Sequence, residues 1–277
     1  RGSDAGFGRT RAVAGLPAGL PVSSVLADSH AALYQHGCTS AGTGKATYGT
    51  GSSVMTPCEG PDAGPAGIAT TLAWLTDGPT YAREGNIVAS GSALDWMAGT
   101  LGAPAGLSGG AYLTALASEV PDAGGVSFVP AFSGLGAPYW DRTATGVLTG
   151  ISGGTTPAHL ARAALEAVAH QVADVVEAIE ADGRARIDVL HADGGATASA
   201  LLMQTQADLL GRAVLVADAP EASALGVALM AARALGLAEA PPAGGAPVEP
   251  AAADERAARR SAWATAVARS RGLPLPH

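Results

Sequence analysis

The sequence PVSSVLADSHAALYQHGCTSAGTGKATYGTGSSV, residues Pro21–Val54, decides the fold of this chain. Its apolar start predicts a short buried strand over Val22–Leu26, which is followed by one carboxylate, Asp28, and a short helix. The second half predicts a β-hairpin over 45–56, because two strand-like runs flank a glycine-rich tip at Gly49–Gly51. The stretch therefore places an acid and a glycine hairpin on neighbouring elements.

An acid beside a glycine hairpin is the combination that phosphoryl transfer requires. Asp28 can take a proton from a hydroxyl, while the Thr50 hydroxyl and the N–H groups around Gly49 and Gly51 can hold phosphate oxygens. Each feature also has a purely structural interpretation. An Asp after a strand commonly caps the next helix, and Gly with Thr suits an ordinary hairpin turn.

The second half of the chain alternates strands and helices. The clearest helix follows Thr156, a good N-cap, and Pro157, which suits a first helical turn; it ends at Asp182-Gly183. Strand, helix, strand and helix then follow over 187–235. Together with the earlier hairpins, this order predicts an α/β domain with a mixed sheet flanked by helices.

Two further glycine-rich motifs carry chemistry. Asp193–Ala196, between a strand and a helix, has the form of a turn that lets a nucleotide approach the backbone. Gly150–Gly154 matches the pattern G-x-S-x-G and alone would suggest a serine hydrolase with Ser152 as nucleophile. In such hydrolases the serine lies on a sharp turn, the nucleophile elbow, that leads from a strand directly into a helix. The helix at Pro157 begins several residues too late for such a turn, which counts against a hydrolase.

Composition limits the classes of partner. The formal net charge of −8 and the lack of a basic stripe argue against nucleic acid as the main partner. No apolar run reaches membrane-spanning length, so no membrane partner is expected. Cys38 and Cys58 show no metal-binding spacing, which predicts reduced thiols in a cytoplasmic protein and no metal site built by the chain.

Glycine and proline content suggests the domain boundaries. Residues 1–12 are predicted to be a linker remnant, and residues 13–239 a nucleotide-binding domain. The Pro/Gly/Ala-rich segment 240–250 is predicted to be a second linker, and residues 251–277 a C-terminal helix and tail.

Six stretches, taken together and in order, resemble the C-terminal domain of the FGGY carbohydrate kinase family, and among its members they are most similar to glycerol kinases. The stretches are ADSHAALYQHG (27–37), GKATYGTGSS (44–53), YAREGNIVASGSALDWM (81–97), FVPAFSGLGAPYWDRTATGVLTGIS (128–152), HLARAALEAVAHQVADVVEAI (159–179) and DGGATASALLMQTQADLLG (193–211). The resemblance implies an actin-like, ribonuclease H-like lobe. It also implies ATP-dependent phosphorylation of a polyol or sugar hydroxyl with Mg²⁺.

The resemblance also assigns roles residue by residue. Asp28 matches the general base that takes the proton of the substrate hydroxyl, and it lies in the substrate-binding region with Ser29 and Ser53. Thr50, between Gly49 and Gly51, matches the phosphate-contacting threonine. The nucleotide-binding positions match Gly91, Asp95, Gly195 and Ser199.

Departures from glycerol kinases concern the acceptor. Ser29-His30 replaces two Gln residues, and Ser53 replaces a Phe that packs on glycerol carbons. A larger or more polar polyol or sugar is therefore expected. On the nucleotide side, Asp95 replaces a common Gln and Ser199 a common Asn.

The family has a first lobe with its own phosphate hairpin, and this chain lacks a counterpart of it. The partners expected are therefore a missing N-terminal lobe, ATP and a small polyol or sugar, and a homo-oligomer is a further expectation because the family often forms dimers or tetramers. The alternatives are a catalytically incomplete nucleotide-binding fragment and an actin-like lobe that binds a protein partner.

Overall fold

The computed structural model describes residues 1–218, 221–237, 244–251 and 255–274. The strands are β1 (Gly8–Arg9), β2 (Pro21–Val22), β3 (Gly42–Tyr48), β4 (Ser52–Cys58), β5 (Ala69–Leu75), β6 (Pro79–Ile87), β7 (Ser127–Val129), β8 (Val147–Thr149), β9 (Ile187–Asp193), β10 (Val214–Ala217) and β11 (Gly245–Val248). The helices are α1 (Asp28–Gln35), α2 (Gly91–Thr100), α3 (Gly109–Ala117), α4 (Pro157–Glu180), α5 (Ala200–Leu210), α6 (Ala222–Ala234) and α7 (Arg256–Ser270), with a 3₁₀ turn at Gly195–Ala198.

A seven-stranded mixed sheet organises the molecule. Its strand order is β11-β10-β9-β3-β4-β6-β5. The central strands β3, β9 and β10 are parallel, and the remaining neighbours are antiparallel. Helices cover both faces, so the predicted α/β fold with a mixed sheet and flanking helices is confirmed.

The helix α4 supplies much of the larger of the two apolar clusters. Its N-terminus is closed as predicted, since the N–H of Thr156 donates to His159 Nδ1 over 3.2 Å and Pro157 fills the first turn. Its buried apolar residues include Leu165, Val168, Val172, Val175 and Ile179. Each such fully buried side chain contributes about 1.5–3 kcal/mol to stability.

The opposite face of the sheet is covered by α1 and α6. A second apolar cluster there joins Leu33 of α1, Met55 of β4, Trp74 of β5 and Met230 of α6. The helix α1 lies on this cluster, and its first residue, Asp28, is exposed. None of the described helices combines the length and apolarity that crossing a bilayer needs.

The N-terminal segment has two features that the sequence did not indicate. Residues 1–12, predicted as a linker remnant, are tied to the domain: the N–H of Ser3 donates to the carbonyl of Leu75 over 2.6 Å, and β1 pairs with β2. The predicted buried strand Val22–Leu26 is reduced to the exposed pair Pro21–Val22. A short apolar run in the sequence looks the same whether the strand pairs with the main sheet or with another short strand at the surface.

The C-terminal segment also contains elements that the predicted boundaries do not describe. Part of the predicted linker 240–250 forms β11, an edge strand on β10, where Pro247 is tolerated because an edge strand has one row of N–H groups without a ladder partner. The helix α7 buries Trp263 and Val267 in the main core, so it belongs to the same domain. The predicted boundary at residue 239 and the end of the tail at 275–277 lie outside the described residues.

Candidate active site

A cavity of about 690 Å³ opens at the end of the sheet where β3 and β4 turn. Four separate segments line it: the β3–β4 hairpin tip, the N-terminus of α2, the helix α3, and the turn that precedes α5. Six residues predicted as phosphate- or nucleotide-binding are brought together on its walls, namely Gly49, Thr50, Gly91, Asp95, Gly195 and Ser199.

The hairpin tip is docked on the N-terminus of α2. The N–H of Gly91 donates to the carbonyl of Gly49 over 2.9 Å, and the N–H groups of Ser90 and Ser92 donate to the carbonyl of Thr50 over 3.1 and 3.0 Å. A Cβ atom on Gly91 would lie 2.6 Å from the Gly49 oxygen, so only glycine permits this approach. The helix therefore fixes the position of the tip.

This docking uses the carbonyl groups of the tip and leaves N–H groups available. The N–H groups of Thr50 and Gly51 donate to no backbone carbonyl of the described residues. Thr50 is exposed at the tip, and its hydroxyl extends the same set of donors. A row of backbone donors with a hydroxyl is a typical site for phosphate oxygens. Gly51 belongs to this tip but not to the cavity lining.

The turn before α5 forms the next wall. Gly194 has φ +95°, and a Cβ there would lie 2.6 Å from the Tyr48 carbonyl oxygen, so the turn needs glycine to pass β3. Ser199 caps α5 by accepting from the N–H of Leu202 over 3.2 Å. The phenol of Tyr48 donates to Gln206 over 2.9 Å, which holds the hairpin against α5.

The remaining wall combines apolar and hydroxyl groups. Leu94, Ala111 and Ala115 supply the apolar part, while Ser108, Thr114 and Ser118 supply hydroxyls. Asp95 is exposed and packs beside Gly109 at the start of α3. An apolar slot rimmed by hydroxyls and ending at a row of N–H donors has the chemistry of a site for a planar base with a phosphate chain.

The predicted acceptor-side residues lie outside this cavity, on the α1 side of the sheet. Asp28 is the exposed first residue of α1, and its Oδ1 accepts from the N–H of Ser29 over 2.7 Å. The carbonyl of Asp28 accepts from the Ser223 hydroxyl over 2.9 Å, which ties this end of α1 to α6. Nearby, the ring of His30 lies 3.3 Å from Thr71 Oγ1 of β5.

Sequence reasoning missed the most unusual residue on this side, Lys45. Lys45 is fully buried, and its ammonium donates to Ser53 Oγ over 2.6 Å and to Thr47 Oγ1 over 3.0 Å. Burial lowers the pKa of Lys45, while the carboxylates of Asp193 and Glu84 oppose that shift. Asp28 also raises the pKa of Lys45 through its charge.

A buried contact between a histidine and a carboxylate accompanies Lys45. His36, at the end of α1, lies with Nε2 2.6 Å from Asp193 Oδ2, and both side chains are almost fully buried. The neighbouring ring of His191 is 5.3 Å from that of His36, and burial lowers the pKa of His191 to about 4, with the His36 charge adding to the shift. This contact joins the C-terminal end of α1 to β9, while Asp28 lies at the N-terminal end of the same helix.

The structure argues against the serine-hydrolase alternative. Ser152 lies in an exposed turn whose hydroxyl accepts from the N–H of Gly154 over 3.3 Å, and α4 begins only at Pro157. The hydrogen bonds of Ser152 within the described residues involve no histidine. The strand-to-helix elbow that would activate this serine is therefore not formed.

Within the described residues, no three His, Cys, Asp or Glu side chains come together to hold a metal ion. A divalent cation such as Mg²⁺ usually needs only one or two carboxylates and otherwise binds water and substrate phosphates. The described part of the chain thus offers no dedicated metal cage.

A family model matches most of the chain. Residues 44–235 match the FGGY family of carbohydrate kinases, C-terminal domain. The matched range includes the hairpin, the helices α2–α5 and the whole cavity, and it leaves Asp28 just upstream.

Curated and solved proteins agree with that match. The chain is 47% identical over 230 residues to the glycerol kinase of Alkalilimnicola ehrlichii, covering 82% of this chain and 46% of that protein. It is 45% identical over 269 residues to the apulose kinase of Pectobacterium atrosepticum, covering 95% of this chain and 53% of that protein. A crystal structure of Plasmodium falciparum glycerol kinase with ADP superposes with a TM-score of 0.85 at 26% identity, covering 97% of this chain and 55% of that one. The chain spans about half the length of the curated relatives it matches.

Proposed function

Because this chain belongs to the FGGY family of carbohydrate kinases, whose C-terminal domain it matches, we propose that it is the nucleotide-binding lobe of an ATP-dependent kinase for a polyol or sugar. The observation that carries this proposal is the convergence of four separate chain segments on one cavity with available N–H donors at one end. ATP is the donor in this proposal, and its base occupies the apolar slot between α2 and α3.

In the proposed reaction, Asp28 acts as general base. Its carboxylate accepts the proton of the acceptor hydroxyl, and the resulting oxygen forms a bond to the γ-phosphorus of ATP. The bond from that phosphorus to the β–γ bridging oxygen breaks, and ADP leaves. Thr50 and the N–H of Gly51 hold phosphate oxygens at the cavity end nearest the acceptor side, which positions the chain for in-line transfer.

Mg²⁺ is proposed to arrive with the ATP phosphates, where it neutralises their charge. The described residues form no metal cage, so no residue of this chain is assigned as a metal ligand. Its contribution is to hold the nucleotide and to orient the acceptor.

We propose that a first lobe, with its own phosphate hairpin, completes the site. The support is that this chain matches only about half the length of its relatives. The kinase is proposed to work in the cytoplasm, where ATP is available and where free thiols such as Cys38 and Cys58 persist.

The acceptor is proposed to carry more oxygen atoms than glycerol. Ser53, where the resemblance expects a Phe, has its hydroxyl bonded to Lys45 at 2.6 Å instead of presenting an apolar wall. The alignment to the apulose kinase also extends over more of the chain than that to the glycerol kinase, 95% against 82%.

A second candidate is nucleotide binding without turnover. The cavity is built entirely within this chain, and it needs no other lobe to form. In this case the chain binds Mg-ATP but transfers no phosphoryl group.

The test is ATP-dependent phosphorylation by the protein carrying both lobes, measured across glycerol, erythritol, ribitol, D-xylulose and D-ribulose. Asp28→Asn should lower turnover by roughly 10²- to 10⁴-fold and leave ATP affinity unchanged. Asp62→Asn is the matched control, because Asp62 is an exposed carboxylate with one weak ion pair at 3.5 Å. Equal turnover in Asp28→Asn and Asp62→Asn would contradict the base assignment, and Mg-ATP binding without any turnover would favour the second candidate.

A further inference from the structure

Among the described residues that line the nucleotide cavity, one side chain is charged, the carboxylate of Asp95. Asp95 is exposed on α2, and its carboxylate has no hydrogen bond or ion pair to another described residue. A carboxylate next to a phosphate chain would repel it. Asp95 lies one helical turn beyond Gly91, where α2 meets the hairpin tip, so it belongs to the part of the cavity that holds the nucleoside.

The first turn of α3 places hydrogen-bond donors beside this carboxylate. A Cβ atom on Gly109 would lie 2.6 Å from Asp95 Oδ1, so the carboxylate lies directly against the start of α3. The N–H of Ala111 donates to Ser108 Oγ over 3.2 Å, whereas the N–H groups of Gly109 and Gly110 donate to no backbone carbonyl of the described residues. This end of the cavity therefore offers an acceptor and a donor side by side.

The apolar slot of the cavity ends at these two groups. Leu94, which lines the slot, directly precedes Asp95 in α2, and Ala111 directly follows Gly110 in α3. A flat base held between the two helices therefore presents one edge to the Asp95 carboxylate and to the N–H of Gly110. These two groups decide which base edge is complementary to the slot.

The nucleobases differ in what they offer to such a pair of groups. An ionised carboxylate accepts through two oxygens and donates nothing. Guanine presents its N1–H and N2–H groups next to the O6 acceptor, so it can donate to both carboxylate oxygens and accept from the N–H. Adenine presents one amino group next to a ring nitrogen, and uracil presents one imino group next to a carbonyl. Each of these two bases leaves one carboxylate oxygen without a partner.

We propose that Asp95 is a specificity-determining residue that, together with the N–H of Gly110, favours guanine, so that GTP serves as phosphoryl donor at least as well as ATP. This inference rests on the proposed function and concerns the donor nucleotide of the same site. The transfer step is unchanged. The acceptor oxygen forms a bond to the γ-phosphorus of GTP, the bond to the β–γ bridging oxygen breaks, Asp28 takes the hydroxyl proton, and GDP leaves.

The test measures the dissociation constants of Mg-GDP, Mg-IDP and Mg-ADP by isothermal titration, in the protein carrying both lobes. GDP and IDP differ only in the 2-amino group of the base, so their ratio reports the second bond to the carboxylate. Asp95 is exposed, which weakens a bond to its charge. We therefore expect the wild type to bind Mg-GDP roughly three- to thirtyfold more tightly than Mg-IDP, and at least as tightly as Mg-ADP.

The variant Asp95→Asn tests the residue itself, because asparagine has nearly the same shape and the position is exposed. An amide has one acceptor and one donor group, so guanine loses its second bond while adenine can pair with both groups. The difference between GDP and IDP should disappear, and the preference should shift toward ADP by roughly threefold or more. Glu119→Gln is the control: it removes an exposed carboxylate beyond the C-terminal end of α3, outside the cavity lining, and should leave every ratio unchanged.

The outcomes are distinguishable. Equal affinities for Mg-GDP and Mg-IDP in the wild type overturn this inference alone, and so does Mg-ADP binding without Mg-GDP binding. An equal loss of affinity for all three nucleotides in Asp95→Asn also overturns it, because the carboxylate would then act on the ribose or on the start of α3 and not on the base. A wild type that binds none of the three nucleotides overturns the proposed function and this inference with it.

Discussion

The contact between Gly91 and the hairpin tip gives the sharpest prediction for nucleotide binding. In Gly91→Ala, the new Cβ would lie 2.6 Å from the Gly49 carbonyl oxygen, and the next nearest atoms are also backbone atoms of Gly49 and Thr50. No flexible side chain is available to move aside. The tip must therefore shift away from α2 by about 0.8 Å or more to restore ordinary van der Waals contact.

The size of the effect follows from the bonds at this contact. Three backbone hydrogen bonds, of 2.9, 3.1 and 3.0 Å, join the tip to the N-terminus of α2. Each is worth about 0.5–1.5 kcal/mol, while alanine in a helix gains about 0.5–1 kcal/mol over glycine. The balance is a net loss of about 0.5–4 kcal/mol if all three break. Because the tip supplies the proposed phosphate donors, Mg-ATP affinity should fall by roughly twofold to 10³-fold.

The assay is isothermal titration of Mg-ATP with thermal unfolding measured in parallel. Gly99→Ala is the matched control, because Gly99 lies exposed in the same helix and a Cβ atom there would meet no neighbouring atom within 4 Å. That variant should be slightly more stable and bind Mg-ATP as wild type does. Wild-type affinity in Gly91→Ala would refute the assignment of the tip as the phosphate site.

Three other predictions concern stability. Burial lowers the pKa of His191 from 6.5 to about 4, so as the pH falls the unfolded state takes up the proton first. The free energy of unfolding should therefore fall between about pH 6.5 and 4. In denaturant titrations His191→Gln should flatten this pH dependence, and an unchanged pH dependence would contradict the prediction. Trp263→Ala should lower the free energy of unfolding by about 3–5 kcal/mol, because Trp263 is buried. Leu273→Ala, at an exposed position, should lower it little. Equal losses in thermal unfolding would contradict the packing of α7 on the core. Tyr48→Phe leaves the Gln206 oxygen unpaired and should cost about 1–3 kcal/mol, so wild-type stability would contradict that bond.

Local patterns were sufficient where one segment carries its own signal. The hairpin tip, the cap of α4 at Thr156 and the alternation of strands and helices after Asp182 all depend on short-range preferences, and the structure has each of them. The cavity residues were identified through the resemblance. Their meeting in space depends on the sheet order, which places β9 directly beside β3 although they are far apart in sequence.

Long-range pairing explains what the sequence did not reveal. Residues 1–12 and 245–248 look like linkers because Gly and Pro are frequent there, yet both gain partners on distant strands. Lys45 and His36 were missed because their importance comes from burial and from neighbours on other elements. A signal was available: in the predicted strand, Lys45 and Thr47 alternate with Ala46 and Tyr48, which puts both polar side chains on one face.

The most direct test of the central claim is a crystal structure of the protein with Mg-ADP. We predict the base against Leu94, Ala111 and Ala115, and phosphate oxygens within hydrogen-bond distance of the Thr50 hydroxyl and the N–H groups of Thr50 and Gly51. The phosphate chain should point toward the side of the sheet that carries Asp28. A nucleotide bound elsewhere, or one whose phosphates face away from the hairpin tip, would contradict the account.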